Sequence, residues 1–552
     1  MRTLISKTLK HLKNSRGGGI NKDTGLDLLL LTVFGLIIWL INFKINFCGL
    51  IFPDAQYYAS IARNIISGNG YLANLTSPCN FSYLGKNIFV PHINPPLFPY
   101  LLAILFKLGG VSDQMSACGS GLFFIISIIP LYLLANKLFD RPVAIIVSLV
   151  YIFEPTLLYL SISGLTEPLF IFFLLLAFLF LAMFFDLQKT SYIFWAGIFI
   201  GLAKLVRFNA SVFIIMIVLA LFLCVKQNRW KAAAVFLAGI IIIYIPEYIR
   251  VLSVQTPAVS QGLLNYAAAD GTAQYPLIMI ARLLNPPSSW EYIHACPKDF
   301  IYKYSENLFY YYKNFFVMIN PLITAFFTVS VAATQEHRTR RILLSIVLFS
   351  ILVQAGLISY SVPVIRYFYI FIPFMIIFGV GFFFAKILPD VNARFQKIFT
   401  IAMIFLFLLP TANIYESILR SYGILFRNYE SKERVMIEGQ KAIGNYIRAN
   451  TKKDDFIATD DQSIAWYADR KTLYLPLTFN TLKIINQKYK KVDAILLTSK
   501  SDIKNKNELA GVGGELVKWR KTFNSPPRKL ENYILMNHGK IGNEKIVFYK
   551  KR

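Results

Sequence analysis

A single carboxylate follows the first apolar run of the sequence. Asp54 opens the stretch PDAQYYASIARNIISGNGY, which covers residues 53–71. Apolar side chains then recur at helical spacing, at Tyr57, Tyr58, Ile61, Ile65 and Ile66. We expect an amphipathic helix along a membrane surface, with Asp54 at the N-terminus, where the helix dipole favours the ionised carboxylate. The alternative is an N-cap aspartate with no further role.

Two glutamates lie at the ends or in the interior of apolar runs. Glu167 in GLTEPL precedes a proline at the start of such a run, where the dipole would stabilise a helix-start glutamate. Glu154 falls inside another run, and an acid at membrane depth normally faces a cavity or a partner. A kink-associated glutamate paired with Lys204 or Arg207 is the alternative for Glu154.

Two histidines are candidate metal ligands. His92 precedes an NPPL turn, and His294 lies in SSWEYIHACP. Together with Asp54 or Glu291 they could ligate a divalent cation, although lone histidines are more often structural. The five cysteines show no CxxC or Cys/His spacing, so a zinc site or a disulfide scaffold is not indicated. No cofactor is firmly predicted.

The composition places these residues in a polytopic membrane protein. The chain has 552 residues, of which 56% are hydrophobic and 16% charged, with a mean hydropathy of +0.51. A soluble domain could not bury that much apolar surface. The net charge of +27 could suggest nucleic acid, but cytoplasmic loops rich in Lys and Arg explain it. We predict no nucleic-acid partner.

Eleven apolar runs are candidates for transmembrane helices. They lie near residues 26–45, 115–138, 142–160, 165–185, 191–206, 210–225, 232–249, 312–333, 342–360, 366–385 and 398–413. With the N-terminal tail (1–25) in the cytoplasm, Lys and Arg fall in alternate loops, as the positive-inside rule requires. The run PPLFPYLLAILFKLGG (95–110) would break this pattern as a span, so we predict an interfacial helix there.

This orientation divides the chain into three parts. The tail is followed by a membrane domain at 26–413, with large outer loops at 46–113 and 250–310. Residues 414–552 form a predicted extracytoplasmic α/β domain. Its SKERVMIEGQKAIGNYIRAN stretch is typical of an amphipathic helix, and DDFIATD, KTLYLPL, DAILLTS and KIVFYKK are typical of short strands.

Several of these stretches, in their order, resemble the GT-C superfamily of membrane glycosyltransferases. The first outer loop opens with an acid before YYASIARNIISGNGY and closes with HINPPLFPYLLAILFKLGG. GLTEPLFIFFLLLA, GLAKLVRFNA, IPEYIR and RYFYIFIPF support the resemblance, which covers residues 26–413 in order. The branch that it resembles contains protein O-mannosyltransferases and lipid A aminoarabinose transferases. The implied fold is mainly α, with about 11 transmembrane helices.

The resemblance implies catalytic roles for two acids. In that family an aspartate of loop one acts as general base, or positions one, while a sugar leaves polyprenyl phosphate with inversion. Asp54 matches that position, and a carboxylate suits the task. Family members usually carry a second acid directly after it, where this chain has Ala55. Glu167 matches the second loop acid that the family often carries.

The resemblance also implies a set of substrate contacts. Arg207, Arg250 and Arg366 lie at predicted outer span ends, and arginine can bind phosphate with two parallel hydrogen bonds. Each could instead be a snorkelling anchor; Arg366 is the preferred phosphate ligand. Aminoarabinose transferases have a lysine where this chain has Asn94. The remaining predicted substrate contacts are Tyr57, Tyr58, His92, Asn94 and Glu154.

The sequence therefore predicts an inverting glycosyltransferase that uses a polyprenyl-phosphate sugar at the outer face of the inner (plasma) membrane. The acceptor hydroxyl could belong to a protein, lipid A, another glycolipid or a cell-wall polymer. The tail has no WWD-type signature, which argues against an oligosaccharyltransferase. A transporter or lipid flippase is the alternative, but no inverted halves are evident. A scaffold would leave the Asp54 loop unexplained.

Overall fold

The computed structural model describes residues 22–84, 88–90, 94–254, 282–286, 288–333, 337–408, 432–501 and 513–552. Up to residue 408 the described chain is almost entirely helical. Its helices are α1 (Lys22–Asn46), α2 (Pro53–Ile66), α3 (Pro78–Leu84), α4 (Leu97–Gly109), α5 (Asp113–Leu138), α6 (Arg141–Phe153), α7 (Pro155–Ser161), α8 (Glu167–Leu187), α9 (Thr190–Lys204), α10 (Ala210–Cys224), α11 (Arg229–Val254), α12 (Ser289–Ala295), α13 (Pro297–Phe315), α14 (Pro321–Ala332), α15 (Arg338–Ser359), α16 (Ile372–Phe382) and α17 (Ala393–Leu408).

Six helical segments of the described chain are long and apolar enough to cross a membrane. They are α1, α5, α8, α11, α15 and the composite segment Ile365–Asp390, in which a 3₁₀ helix (Ile365–Phe371) leads into α16. A seventh span results if α6 and α7, which meet at a 60° bend, are counted as one. The protein is thus a multi-pass membrane protein, as predicted, and the count of eleven spans stays a prediction.

Two of the sequence-based assignments can be compared with helix lengths. The run at 312–333 is divided, because α13 ends at Phe315 and α14 begins at Pro321. The run at 95–110 forms α4, whose 13 residues reach only about 20 Å at 1.5 Å per residue, short of a hydrocarbon core of about 30 Å. That length agrees with an interfacial helix.

The C-terminal region contains a seven-stranded sheet. Its own elements are α18 (Lys432–Asn450), β2 (Phe456–Thr459), α19 (Ile464–Tyr467), β3 (Lys471–Tyr474), α20 (Phe479–Lys488), β4 (Ala494–Leu497), α21 (Gly513–Asn524), β5 (Lys529–Leu530), β6 (Tyr533–Ile541) and β7 (Glu544–Lys551). The strand order is β1-β3-β2-β4-β7-β6-β5, in which β1 is Leu75–Thr76. The four strands and the helix α18 predicted from the sequence are all present.

One edge strand of this sheet does not come from the C-terminal region. β1 (Leu75–Thr76) belongs to the predicted first outer loop (loop one, 46–113) and pairs in parallel with β3, with Leu75 opposite Thr472. The predicted C-terminal domain at 414–552 is therefore completed by a segment that lies almost 400 residues before its partner strand β3 in the chain. The sheet and the membrane helices share loop one.

Side chains reinforce this connection at a contact region that we call the junction, formed by Arg63, Asp113, Lys441, Trp466 and Asp469. Arg63 at the end of α2 donates to the carbonyls of Ala465 and Trp466 and pairs with Asp469 at 2.9 Å. Asp113 at the start of α5 accepts from the Trp466 indole at 2.7 Å and pairs with Lys441 at 2.9 Å. The junction therefore fixes α2 against the C-terminal sheet.

The predicted orientation can be tested with two exposed lysines. Lys189 lies between α8 and α9, and Lys453 lies between α18 and β2. In a protein whose five native cysteines are replaced by serine, a membrane-impermeant maleimide applied to intact cells should label Lys453→Cys and spare Lys189→Cys. Both should react after permeabilisation. Labelling of Lys189→Cys in intact cells would contradict the predicted orientation.

Candidate active site

Asp54 lies in the first turn of α2, the helix that follows α1 in the chain. Phe52 occupies the N-cap position of this helix, and no side chain caps it. The interpretation of Asp54 as an N-cap residue is therefore wrong. Its side chain is 51% exposed and accepts a hydrogen bond from the Arg366 guanidinium. Asp54 is thus an accessible carboxylate with one identified cationic partner.

Glu167 is the opposite case, a carboxylate with no exposed surface at the start of α8. Its Oε1 lies 2.9 Å from Nη1 of Arg207 and 3.2 Å from Nε of Arg366. The Arg366 Nε–H is within ion-pair distance but does not point at the oxygen, so this contact is electrostatic and not a hydrogen bond. A buried carboxylate needs such compensation, because burying an isolated charge is very costly.

These four residues form what we call the ion cluster: Asp54, Glu167, Arg207 and Arg366. It contains two carboxylates and two guanidinium groups, so its formal charge is balanced. Arg207 also donates to the Thr166 hydroxyl at 2.8 Å. Of the two arginines, Arg366 contacts both acids, whereas Arg207 contacts Glu167.

Backbone geometry brings the acids close to each other. Gly164, three residues before Glu167, has a φ of +72°, which favours glycine. A Cβ added there would lie 2.8 Å from a Leu50 methyl group and 3.3 Å from the Ala55 Cβ. The loop before α8 therefore packs directly on the start of α2. The GLTEPL motif thus contains two site residues that the sequence interpretation missed, Gly164 and Thr166.

An aromatic ring lies beside each of the two arginines. Arg366 lies 5.0 Å from the centroid of the Phe52 ring, and Arg207 lies 5.4 Å from that of Tyr367. Such stacking is favourable for a guanidinium and fixes its plane. The rings therefore orient the donors of both arginines.

The two predicted tyrosines of α2 lie beside this cluster. Burial raises the pKa of Tyr58, and the nearby negative charge of Asp54 raises it further. Burial also raises the pKa of Tyr57, although a hydrogen bond with the Asn94 side chain opposes the shift. Both phenols stay protonated at neutral pH and can donate hydrogen bonds. The predicted contacts Tyr57 and Asn94 are therefore adjacent in space.

Arg250 belongs to a neighbouring group and not to the ion cluster. It pairs with Glu247 at 2.7 Å and lies 4.8 Å from the centroid of the Tyr71 ring. The Tyr71 hydroxyl donates to the Asn94 carbonyl at 3.0 Å. The three predicted phosphate ligands are thus not equivalent, and Arg366 is the one in contact with Asp54.

Glu154 lies at the bend between α6 and α7. Its Oε2 accepts from the Leu157 amide at 2.8 Å and caps α7. The alternative pairing with Lys204 or Arg207 is wrong, because Lys204 lies over the Tyr244 ring and Arg207 pairs with Glu167. The structure records no hydrogen bond to its buried Oε1.

Two of the predicted metal ligands, Glu291 and His294, make other contacts. Glu291 forms a capping box with Ser288 at the start of α12, and His294 packs on the Trp290 ring. His92 lies outside the described residues. Within the described ranges, no three His, Cys, Asp or Glu side chains are grouped as a metal site would require.

Comparison with known proteins agrees with this architecture. Residues 93–248 match the family described as dolichyl-phosphate-mannose-protein mannosyltransferase. The fold is similar to that of ArnT from Cupriavidus metallidurans bound to undecaprenyl phosphate, with a TM-score of 0.59 and 10% identity over 94% of this chain and 97% of that one. It has the GT-C glycosyltransferase fold.

A second GT-C structure has similar coverage. The archaeal oligosaccharyltransferase AglB from Archaeoglobus fulgidus, in complex with an inhibitory peptide and a dolichol-phosphate, gives a TM-score of 0.55 and 13% identity over 90% of this chain and 72% of that one. No curated protein sequence matches the chain significantly. The predicted GT-C fold is thus confirmed, and at these identities the similarity to solved structures concerns the fold alone.

The burial of Glu167 predicts a large stability effect. Glu167→Gln removes the charge that compensates Arg207 and Arg366, so we expect a loss of about 3–5 kcal/mol. Glu438 is exposed on α18, and Glu438→Gln is the matched control with an expected change within about 0.5 kcal/mol. Thermal unfolding in detergent measures both. Equal midpoints would contradict the structural importance of the buried pair.

Proposed function

We propose that the protein transfers a sugar from a polyprenyl-phosphate donor to an acceptor hydroxyl at the outer face of the membrane. The observation that carries this proposal is the ion cluster, in which an accessible carboxylate and two arginines meet at one end of the membrane helices of a GT-C fold. The printed ligands of ArnT and AglB are undecaprenyl phosphate and a dolichol-phosphate. They support a polyprenyl lipid as the donor class.

Asp54 suits the role of general base because its carboxylate is accessible and lies beside Arg366. The acceptor oxygen attacks the anomeric carbon, the bond from that carbon to the phosphate oxygen breaks, and the acceptor proton passes to the carboxylate of Asp54. Inversion follows from attack opposite the leaving group. A positioned carboxylate of this kind contributes roughly 10²–10⁴-fold to a rate.

Arg366 and Arg207 suit the role of stabilising the leaving phosphate. The phosphate gains a negative charge as the glycosidic bond breaks, and fixed guanidinium groups in a poorly hydrated site stabilise that charge. Arg366 is 13% exposed and Arg207 10%. Tyr57, Tyr58 and Asn94 offer hydrogen-bonding groups on the neighbouring side for the sugar.

Several acceptors and sugars fit this proposal. A protein hydroxyl, lipid A, another glycolipid or a cell-wall polymer all provide the required nucleophile, and the sugar could be a hexose or a pentose. We propose the plasma membrane, with the ion cluster and the C-terminal sheet on its extracytoplasmic side. The junction places the C-terminal sheet beside loop one, which supports a part for it in acceptor selection.

Asp54→Asn tests the chemical role of the carboxylate. The amide keeps the size of the side chain but removes its basicity, so transfer of labelled sugar from a polyprenyl-phosphate donor should fall by roughly 10²–10⁴-fold. Asp390 is exposed at the other end of the Ile365–Asp390 segment, and Asp390→Asn should keep full activity. A well-folded Asp54→Asn protein with normal transfer would rule out the base. Donor movement without transfer by the wild type would favour the flippase.

The role of Arg366 can be tested through the affinity of the protein for the donor. Arg366→Ala should weaken donor binding by about 1.5–3 kcal/mol, the usual value of a charge-assisted hydrogen bond. Arg366→Lys should recover part of the affinity, since lysine keeps the charge but loses the planar fork. Titration of donor lipid into purified protein measures both. Unchanged affinity in Arg366→Ala would assign the phosphate to Arg207 or Arg250.

A further inference from the structure

The ion cluster contains a competition between its own base and the proposed donor. The hydrogen bond from Arg366 to Asp54 uses Nη2, one of the groups that a phosphate would bind. The Nε side of the same guanidinium faces Glu167. An incoming anion therefore meets an Arg366 whose terminal nitrogen is already in contact with a carboxylate.

Exposure determines which carboxylate can leave. The Asp54 side chain is 51% exposed, whereas Glu167 has no exposed surface. Displacing Asp54 only returns a surface carboxylate to water, which costs little. Displacing Glu167 would leave a buried charge with Arg207 alone. The Asp54–Arg366 contact is thus the exchangeable one, and the Glu167 contacts hold Arg366 in place.

We propose that the phosphate of the donor displaces Asp54 from Arg366, so that donor binding itself releases the catalytic base. This inference rests on the proposed function and concerns the order of events at the same site. Before the donor binds, the Asp54 carboxylate is held in contact with Arg366. After exchange it is free of that contact and can accept the hydrogen bond, and then the proton, of the acceptor hydroxyl.

The charges balance through the cycle. The donor is a phosphodiester with one negative charge, and Asp54 carries another. During transfer the acceptor proton moves to Asp54, and the polyprenyl phosphate leaves with two negative charges, so the sum is unchanged. Neutral Asp54 does not compete for Arg366 while the phosphate charge is largest. When Asp54 loses its proton to water, it can compete again and assist release of the product lipid.

A purely supportive Asp54 would have the opposite effect. If Asp54 only held Arg366 in position for the phosphate, removing its charge would weaken the binding of the lipid. If Asp54 competes with the phosphate, removing its charge strengthens the binding. The sign of one affinity change therefore separates the two roles.

The experiment uses the full chain in lipid nanodiscs, with undecaprenyl phosphate as the probe and undecaprenol as the neutral reference for tail binding. Asp54→Asn should bind the phosphate roughly three- to tenfold more tightly than the wild type, as expected for loss of one exposed competing ion pair. Its affinity for undecaprenol should be unchanged. Asp390→Asn removes an equal charge from the Ile365–Asp390 segment, at the end opposite to Arg366. This variant should match the wild type for both lipids.

A double variant assigns the effect to Arg366. Arg366→Ala should weaken the binding of undecaprenyl phosphate. The double variant with Asp54→Asn should bind this lipid as weakly as Arg366→Ala alone, because the competition requires Arg366. Equal or weaker binding in Asp54→Asn, with thermal unfolding like that of the wild type, would overturn the exchange while leaving the proposed function intact. A wild-type protein that binds undecaprenyl phosphate no better than undecaprenol would overturn both.

Discussion

One end of the membrane domain is organised around one buried carboxylate. Glu167 has no exposed surface, and its ionised form is tolerable only because Arg207 and Arg366 lie within 3.2 Å of its Oε1. The residues of the ion cluster come from the start of α2, the start of α8, the turn between α9 and α10, and the 3₁₀ helix before α16. Each segment must reach its place for the charge to be compensated. The same requirement brings Arg366 within reach of Asp54.

A second constraint acts on α2 from the other side. Its N-terminal turn is tied to the membrane domain through Asp54 and Arg366, and its C-terminal turn is tied to the sheet through Arg63 and Trp466. The sheet in turn takes β1 from the same loop. Because α2 is held at both ends, a shift of the C-terminal sheet would move this helix and with it the carboxylate of Asp54. The helix α2 is thus positioned jointly by the membrane helices and the sheet.

Much of this could be predicted from residue types, but little of the pairing could. Asp54, Glu167 and Arg366 could be singled out because each is a charged residue directly beside an apolar run, where a carboxylate or a guanidinium has a recognisable chemistry. Their contact joins residues 312 positions apart in sequence, and no local pattern encodes such a distance. β1 was missed because two residues carry no periodicity. The divided run at 312–333 has continuous hydropathy, and the alternative pairing of Glu154 with Lys204 or Arg207 was wrong because its carboxylate caps α7.

The balanced charge of the cluster bears on how an anionic lipid would find it. Two guanidinium groups and two carboxylates sum to zero, so the site itself exerts little net attraction. Residues 414–552 contain 27 Lys and Arg against 15 Asp and Glu, and the field of such a basic region can concentrate anions near its surface over about a Debye length of 8–10 Å. Attraction and recognition are therefore separate. The basic surface would gather anionic lipids without distinction, and a phosphate would be selected only when its geometry matches the Arg366 fork better than the carboxylate of Asp54 does.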